Sequence, residues 1–161
     1  MNEVQKELDQ GVKHFVILIS SSGGFVNWGI TAYNFLKGIP AEVETHNLGT
    51  ADSMAVVLYC AGKKRYSVSH ARFLLHGVGL TVPQKTRFEE KQLDEKIKSL
   101  RIDTRNIAAI IAENTGKSEE VVRKAMYEVA VLNPEQAVEF GLVHEIKAEL
   151  FERGAKVITI S

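Results

Sequence analysis

The stretch Gly49-Thr50-Ala51-Asp52-Ser53-Met54-Ala55 decides the fold. It follows an apolar, strand-like run and opens a short apolar helix that ends at Gly62. Ser53 therefore lies where a strand gives way to a helix, and the positive end of the helix dipole stabilises negative charge on its oxygen. A serine here is ordinarily a helix cap, but its small neighbours allow close backbone approach. The stretch is a candidate nucleophile turn.

A glycine pair lies upstream, in Ser20-Ser21-Ser22-Gly23-Gly24. It follows His14–Ile19, a β-branched and aromatic run that predicts a buried parallel strand. Gly23-Gly24 leaves backbone N–H groups uncovered, and acyl transfer needs such donors fixed about 2.7–3.1 Å from the developing oxyanion. Alone, the pair is most often a turn or a phosphate-binding loop. The chain has no Gly-x-Gly-x-x-Gly and no complete Walker-type motif.

A histidine ends the strand-like run downstream of Ser53. Of the five histidines, His76 directly follows an apolar run and leads into Gly77-Val78-Gly79, so its ring can reach an open crevice. A serine, a histidine and free N–H groups are the parts of a serine acyl-transfer site. The chain shows no His-x-x-x-His and no paired cysteines, so we expect neither a metal nor a cofactor.

The bulk composition is that of an ordinary globular protein. The 161 residues fit a single domain, and 45% of them are hydrophobic. Twenty basic residues balance twenty acidic ones, so no net field favours nucleic acid or anionic lipid. Cys60 is the single cysteine, and no apolar run is long enough to span a bilayer or to form a signal-peptide core. We expect a cytoplasmic protein.

Strands and helices alternate along the chain, which predicts an α/β fold with a largely parallel sheet. The predicted strands are His14–Ile19, Val43–Leu48, Arg65–Val68, Arg72–His76, Val143–Ile146 and Val157–Ile160. The predicted helices are Asn2–Gln10, Asn27–Lys37, Ser53–Ala61, a long one over Lys85–Asn114, and two more that begin after Ser118 and Asn133. The long segment would reach about 45 Å, too far for a domain of this size to cover. The alternative is two helices broken near Ile102–Arg105.

Five segments in register resemble the proteolytic subunit of the Clp protease and its ClpP-like relatives, which have a crotonase-like fold. The nucleophile stretch resembles the family's Gly-x-Ala-Ala-Ser-Met-Gly turn, and the glycine-pair loop resembles its Ser-Pro-Gly-Gly loop. Three further segments match in order: Ala71–His76, Thr115–Ser118 and Pro134–Val143. The resemblance runs from about Val12 to Ile146.

The resemblance implies a stacked ββα superhelix in one domain over residues 1–161, with the charged helix projecting as a handle that joins subunits into stacked rings. It implies that Ser53 attacks a peptide carbonyl, that His76 is the base, and that the N–H groups of Gly24 and Met54 hold the oxyanion. An extended substrate would pair beside Phe25 and Val26. The substrates would be short peptides or unfolded polypeptides.

The chain departs from the family pattern at the catalytic aspartate, where it has Val129. Glu128 is adjacent and is a possible third member, although neighbours on a strand face opposite sides. Asn133 and Asn114 are weaker substitutes. Losing the residue that orients the histidine can cost about 10⁴-fold in turnover.

Three other departures from the family pattern follow from the sequence. Asp52 precedes the serine where the family has a small residue, so its carboxylate either opposes the oxyanion or faces away as a cap. Ser22 replaces a proline. The chain also begins close to the glycine-pair strand, so we expect the family's N-terminal strands and axial loop to be absent, which weakens the expectation of an ATP-dependent unfoldase partner.

Three functions follow from these observations. The leading one is a ClpP-like serine peptidase that forms homo-oligomeric rings. The second is a catalytically degenerate ClpP-like subunit that acts as a scaffold or regulator, as Val129 indicates. The third is an acyl-CoA enzyme of the crotonase superfamily, which the Ser/His pair disfavours; a phosphate-binding domain is weaker still.

Overall fold

The computed structural model describes residues 1–159. The fold is α/β: one sheet of six strands has helices packed against it. The strands are β1 (His14–Ser21), β2 (Glu42–Asp52), β3 (Lys64–Ser67), β4 (Arg72–Leu75), β5 (Ala130–Leu132) and β6 (Glu145–Ile146). The helices are α1 (Asn2–Asp9), α2 (Val26–Gly38), α3 (Met54–Tyr59), α4 (Glu90–Thr115), α5 (Glu119–Tyr127) and α6 (Pro134–Phe140). The alternation predicted from the sequence is confirmed.

The long strand β2 organises the sheet. On one edge it pairs in parallel with β1, and on the other it pairs first with β3 and then, nearer its C-terminal end, with β4. β4 continues to β5 as an antiparallel pair, and β3 continues to β6. β2 runs four residues beyond the predicted strand, to Asp52, so the strand reaches the residue immediately before Ser53.

The core lies where α3 packs between the sheet and the surrounding helices. Tyr59 and Phe73 are fully buried and meet edge to face, with ring centroids 5.1 Å apart. Two polar residues of β2, Thr45 and Asn47, are buried too, and each has a partner: Thr45 Oγ1 donates to the Tyr59 carbonyl and Asn47 Nδ2 to the Arg72 carbonyl. These two polar side chains therefore join β2 to helix α3 and to strand β4 and do not form an exposed face.

A buried arginine binds the C-terminal ends of helices α4 and α6. Arg65 is 4% exposed, and its guanidinium donates to the carbonyls of Gly62, Asn114, Gly141 and Leu142. Asn114 and Gly141 lie at the C-terminal ends of α4 and α6, where helix dipoles favour a positive charge. Arg65 thereby fixes both helices to the sheet, a role that sequence reasoning missed.

Helix α4 is one continuous helix of 26 residues, so the expectation of a long projecting helix is confirmed and the broken alternative is wrong. Glu89 and Gln92 form a capping box that starts it. Its buried side chains all lie in the second half, from Ile107 onward, whereas Leu93 and Ile97 in the first half are each 44% exposed. The first half therefore projects from the domain.

Two strand predictions need correction. β1 is not a fully buried strand: of its residues only Ile19 is buried, because β1 pairs with β2 on one side and lies at the edge of the sheet. Residues 157–159 are exposed and irregular and do not form the predicted strand, and Ile160 lies outside the described residues. Lys156 instead binds buried Glu7 of α1, with 2.6 Å between Nζ and Oε1.

Candidate active site

The turn at Ser53 is held in an unusual backbone conformation. Ser53 has φ 57° and ψ −123°, which an L-residue adopts only when its surroundings impose it. Its N–H donates to the Leu74 carbonyl at 2.8 Å, which fastens the turn to β4. A sharp strand–serine–helix turn of this kind presents the hydroxyl at the end of the sheet, as nucleophile turns do.

The glycine-pair loop packs directly against this turn. A Cβ on Gly23 would lie 2.7 Å from the Asp52 carbonyl oxygen, 2.8 Å from Ser53 Cβ and 2.9 Å from the Met54 nitrogen. Gly23 also has φ 93°, so only glycine fits there without strain. The loop can approach the serine this closely because residue 23 has no side chain.

Two backbone donors are available beside the serine. Met54 is the first residue of α3, where N–H groups have no partner within the helix. Neither the Gly24 nor the Met54 N–H makes a hydrogen bond among the contacts that the structure describes. Both residues line the same pocket as Ser53 and His76. The structure thus brings together the four residues to which the sequence assigned a nucleophile, a base and an oxyanion hole.

The pocket has a volume of about 310 Å³ and an apolar floor. Besides Ser53, His76, Gly24 and Met54, apolar side chains from α3, β4, α4 and α5 line the pocket. They are Val56, Leu75, Ile107, Ile111 and Met126. Ile107 and Ile111 lie one helical turn apart on α4. The second half of the projecting helix therefore forms one wall of the site.

The two residues expected to pair with a substrate strand differ in conformation. Phe25 is extended and 80% exposed, whereas Val26 already belongs to α2 and lines the pocket. The helix starts one residue earlier than the sequence predicts. The extended segment that a substrate could pair with therefore ends at Phe25.

The aspartate before the serine neither faces solvent nor caps the helix. Asp52 Oδ2 accepts a hydrogen bond from Arg72 Nη2 at 2.6 Å, and the aspartate side chain is 5% exposed. Its other oxygen, Oδ1, is buried without a partner among the described residues. The Asp52–Arg72 pair joins the end of β2 to the start of β4, the strand that carries His76 at its end. Sequence reasoning found Asp52 but missed Arg72 as its partner.

The histidine lies on the open side of the pocket. His76 is exposed, and its Nδ1 is 2.6 Å from the carbonyl oxygen of Gly77. The register of β4 with β5 pairs Leu75 with Ala130, so the next step along places Val129 opposite His76. The position that would carry an acid therefore holds a valine, at φ 56°, with its side chain half-exposed.

The other candidates for the acid have different partners. Glu128 ends α5 and forms an exposed ion pair with Lys124, with 3.9 Å between the charged atoms. Asn133 caps α6 through its hydrogen bond with Gln136, and Asn114 donates to Tyr33 and to the Ile110 carbonyl. None of these three side chains lines the pocket.

Cys60, the second type of nucleophile in the chain, does not lie in the pocket. Cys60 is completely buried, and burial raises the pKa of its thiol to about 12, so the reactive thiolate does not form near neutral pH. Within the described part of the chain, no three His, Cys, Asp or Glu side chains are grouped to hold a metal ion. Among residues 1–159, no helix has the length and apolar character needed to cross a membrane.

Comparison with known proteins shows which family the chain belongs to. The Clp protease family model matches residues 5–149, most of the chain. The chain belongs to the Clp protease family. The resemblance seen in the five sequence segments is thereby confirmed.

Named relatives of this Clp family member are proteolytic subunits. It is 34% identical over 136 residues to ATP-dependent Clp protease proteolytic subunit 2 of Corynebacterium efficiens, covering 81% of this chain and 64% of that protein. It is 30% identical over 156 residues to the proteolytic subunit of Bdellovibrio bacteriovorus, covering 92% of this chain and 71% of that one. The chain thus spans roughly two thirds of the length of these relatives.

A solved structure confirms the ClpP-like fold. The chain matches the ClpP1 N165D mutant from Listeria monocytogenes with a TM-score of 0.80 and 25% sequence identity, covering 92% of this chain and 84% of that one. The mixed α/β architecture with a long projecting helix is therefore that of a ClpP subunit.

Proposed function

We propose that this Clp family member is a serine peptidase in which Ser53 is the nucleophile and His76 the general base. The observation that carries the proposal is the single pocket that Ser53, His76, Gly24 and Met54 line together. Ser53 Oγ would attack a peptide carbonyl carbon while His76 accepts its proton, and the Gly24 and Met54 N–H groups would stabilise the oxyanion. His76 would then return the proton to the leaving amine, and water would hydrolyse the acyl-enzyme.

The pocket floor supports a preference among substrates. Aliphatic and methionine side chains form part of its wall, so an apolar side chain next to the attacked carbonyl gains free energy by contacting them and leaving water. A charged side chain there would lose hydration with no partner. We propose unfolded polypeptides or short peptides with an apolar residue at that position as the substrates.

The proposal is tested by a fluorophosphonate probe and by hydrolysis of short fluorogenic peptides. The intact chain should be labelled at Ser53, and Ser53→Ala should lose labelling and at least about 10³-fold in turnover. Ser69→Ala, which changes an exposed serine in a turn outside the pocket, is the matched control and should keep both. Labelling that persists in Ser53→Ala would contradict the proposal.

A ClpP-like subunit without catalytic activity is the second candidate function. Val129 opposite His76 favours it, because a missing acid can leave the imidazole in the wrong tautomer. Such a subunit would act as a scaffold or regulator within an assembly. Peptide turnover that Ser53→Ala abolishes would exclude it.

We further propose that the chain assembles with copies of itself through the projecting half of α4. That half exposes Leu93 and Ile97, which lie four residues apart on one face of the helix, with no covering element among the described residues. The relatives named above are subunits of ATP-dependent proteases, so an ATP-driven unfoldase is the partner to test. Sedimentation of the intact chain and of Ile97→Lys would show whether this face holds the assembly together.

A further inference from the structure

The contact between His76 and the next residue determines which ring nitrogen carries the proton. His76 Nδ1 lies 2.6 Å from the Gly77 carbonyl oxygen. A carbonyl oxygen only accepts, so Nδ1 must be the donor in this hydrogen bond. In the neutral imidazole, Nε2 is then unprotonated and carries the lone pair. That is the tautomer in which Nε2 can act as a general base.

In a serine triad a carboxylate selects this tautomer by accepting from Nδ1–H. Here the residue opposite His76 is Val129, and the neighbouring Glu128 is paired with Lys124 on the surface of α5. The hydrogen bond that the structure gives to Nδ1 goes to the Gly77 carbonyl. We propose that the Gly77 main-chain carbonyl orients the His76 ring and fixes its tautomer in place of a carboxylate.

This inference rests on the proposed function, since it assigns a positioning role within that same site. A carbonyl dipole orients the ring as a carboxylate does, but it has no full negative charge to stabilise the imidazolium that forms when Ser53 is deprotonated. The site would therefore keep its base in the working tautomer while turning over more slowly than one with an acid. The Gly77 carbonyl oxygen would thus explain activity without a side-chain acid, and the identity of residue 129 gives no sign of it.

The first test reads the tautomer directly and does not depend on activity. The full chain is labelled with ¹⁵N-histidine, and the His76 signals are assigned by their loss in His76→Gln. At pH 8 the Nδ1 signal should have the shift of a protonated nitrogen and the Nε2 signal that of an unprotonated one. The same result is expected in Ser53→Ala, so a failure of the proposed hydrolysis would leave this measurement intact. A dominant Nε2–H tautomer would overturn the proposal.

The second test weakens the carbonyl itself. Replacing Val78 by its α-hydroxy analogue turns the amide after Gly77 into an ester, whose carbonyl is a poorer acceptor. Among the described contacts the Val78 N–H makes no hydrogen bond, so the change acts through the carbonyl. We expect kcat to fall about three- to tenfold with KM unchanged, and the Nε2–H tautomer to gain population.

The same replacement at Val82, an exposed valine four residues along the loop, is the matched control. It should change neither kcat nor the histidine signals. If the esters at positions 78 and 82 have equal effects on kcat and on the tautomer, the Gly77 carbonyl is not the orienting group.

Discussion

Ser53 and His76 line the same pocket, but the backbone around Ser53 is fastened from three sides while the ring of His76 lies open to solvent. Ser53 is bound to β4 through its N–H, lies in close contact with Gly23, and follows Asp52, whose buried carboxylate pairs with the half-exposed Arg72. His76 makes its one described side-chain hydrogen bond to the adjacent residue. Ser53 is thus positioned by tertiary packing, and His76 by a local contact that is open to water.

The largest effect on the turn at Ser53 is expected from a side chain that fills the space at Gly23. Gly23→Ala should destabilise the fold by about 3 kcal/mol, because φ is positive there and the new Cβ would meet backbone atoms of residues 52 and 54. Fluorophosphonate labelling of Ser53 should fall with it. Gly24→Ala is the control for stability, since its Cβ would meet nothing within 4 Å. Urea unfolding measures both variants, and equal loss in the two would contradict the packing argument.

We expect an added carboxylate to improve the function proposed for His76. Val129→Asp places a carboxylate opposite His76, and aspartate tolerates the positive φ at this position better than valine does. We expect kcat for peptide hydrolysis to rise on the order of 10²-fold, because the charge stabilises the imidazolium. Val129→Asn relieves the same backbone strain without adding charge. A rise of the same size in Val129→Asn would show that strain, and not the carboxylate, limits turnover.

Arg72 tests how far the nucleophile turn depends on its ion pair. Arg72→Met leaves the buried Asp52 carboxylate with no described partner on either oxygen and should cost about 2 kcal/mol, less than a fully buried pair since Arg72 is half-exposed. Removing both charges in Asp52→Ala/Arg72→Met should restore most of that loss. The free energies of unfolding of the two single variants and the double variant give the coupling. Additive losses would mean that the pair contributes nothing.

The smallest expected effect is a loss of stability in acid from two histidines outside the pocket. Burial lowers the pKa of His46 and, with help from the Arg65 charge, that of His144. The unfolded chain therefore binds more protons than the folded one as pH falls below 6.5, and the free energy of unfolding declines there.

The variant His46→Gln/His144→Asn tests this, because each amide replaces the nitrogen that makes the native hydrogen bond to Lys147 or Arg65. Its unfolding free energy in urea should change less between pH 7.5 and pH 5.5 than that of the intact chain. His70→Asn, at an exposed position in a turn, is the control. If the unfolding free energy of the double variant falls with pH as steeply as that of the intact chain, groups other than these two histidines cause the loss of stability in acid.

Most of the architecture was predictable because local patterns and global fold agree. The Pro134 helix start, the continuous α4 and the order of strands follow from caps, periodicity and alternation. The extension of β2 to Asp52 was not predictable, since Gly49 and Asp52 are residue types depleted in strands and pairing with the neighbouring β1 and β4 holds this segment extended. Likewise, no local pattern indicates that Arg65 is buried and donates to three carbonyls that lie far along the chain, those of Asn114, Gly141 and Leu142.

By itself, the sequence indicated the family and identified Ser53, His76 and the glycine-pair loop as candidate site residues. These inferences depend only on residue type and on spacing along the chain. It also located the unusual position at Val129. Only the tertiary structure decided that Asp52 pairs with Arg72, that α4 walls the pocket, and that the Gly77 carbonyl is the partner of His76 Nδ1. The physical reason is that hydrogen-bond partners and electrostatic neighbours are fixed by distances in space, and a main-chain acceptor is present in every residue and so leaves no trace in the sequence.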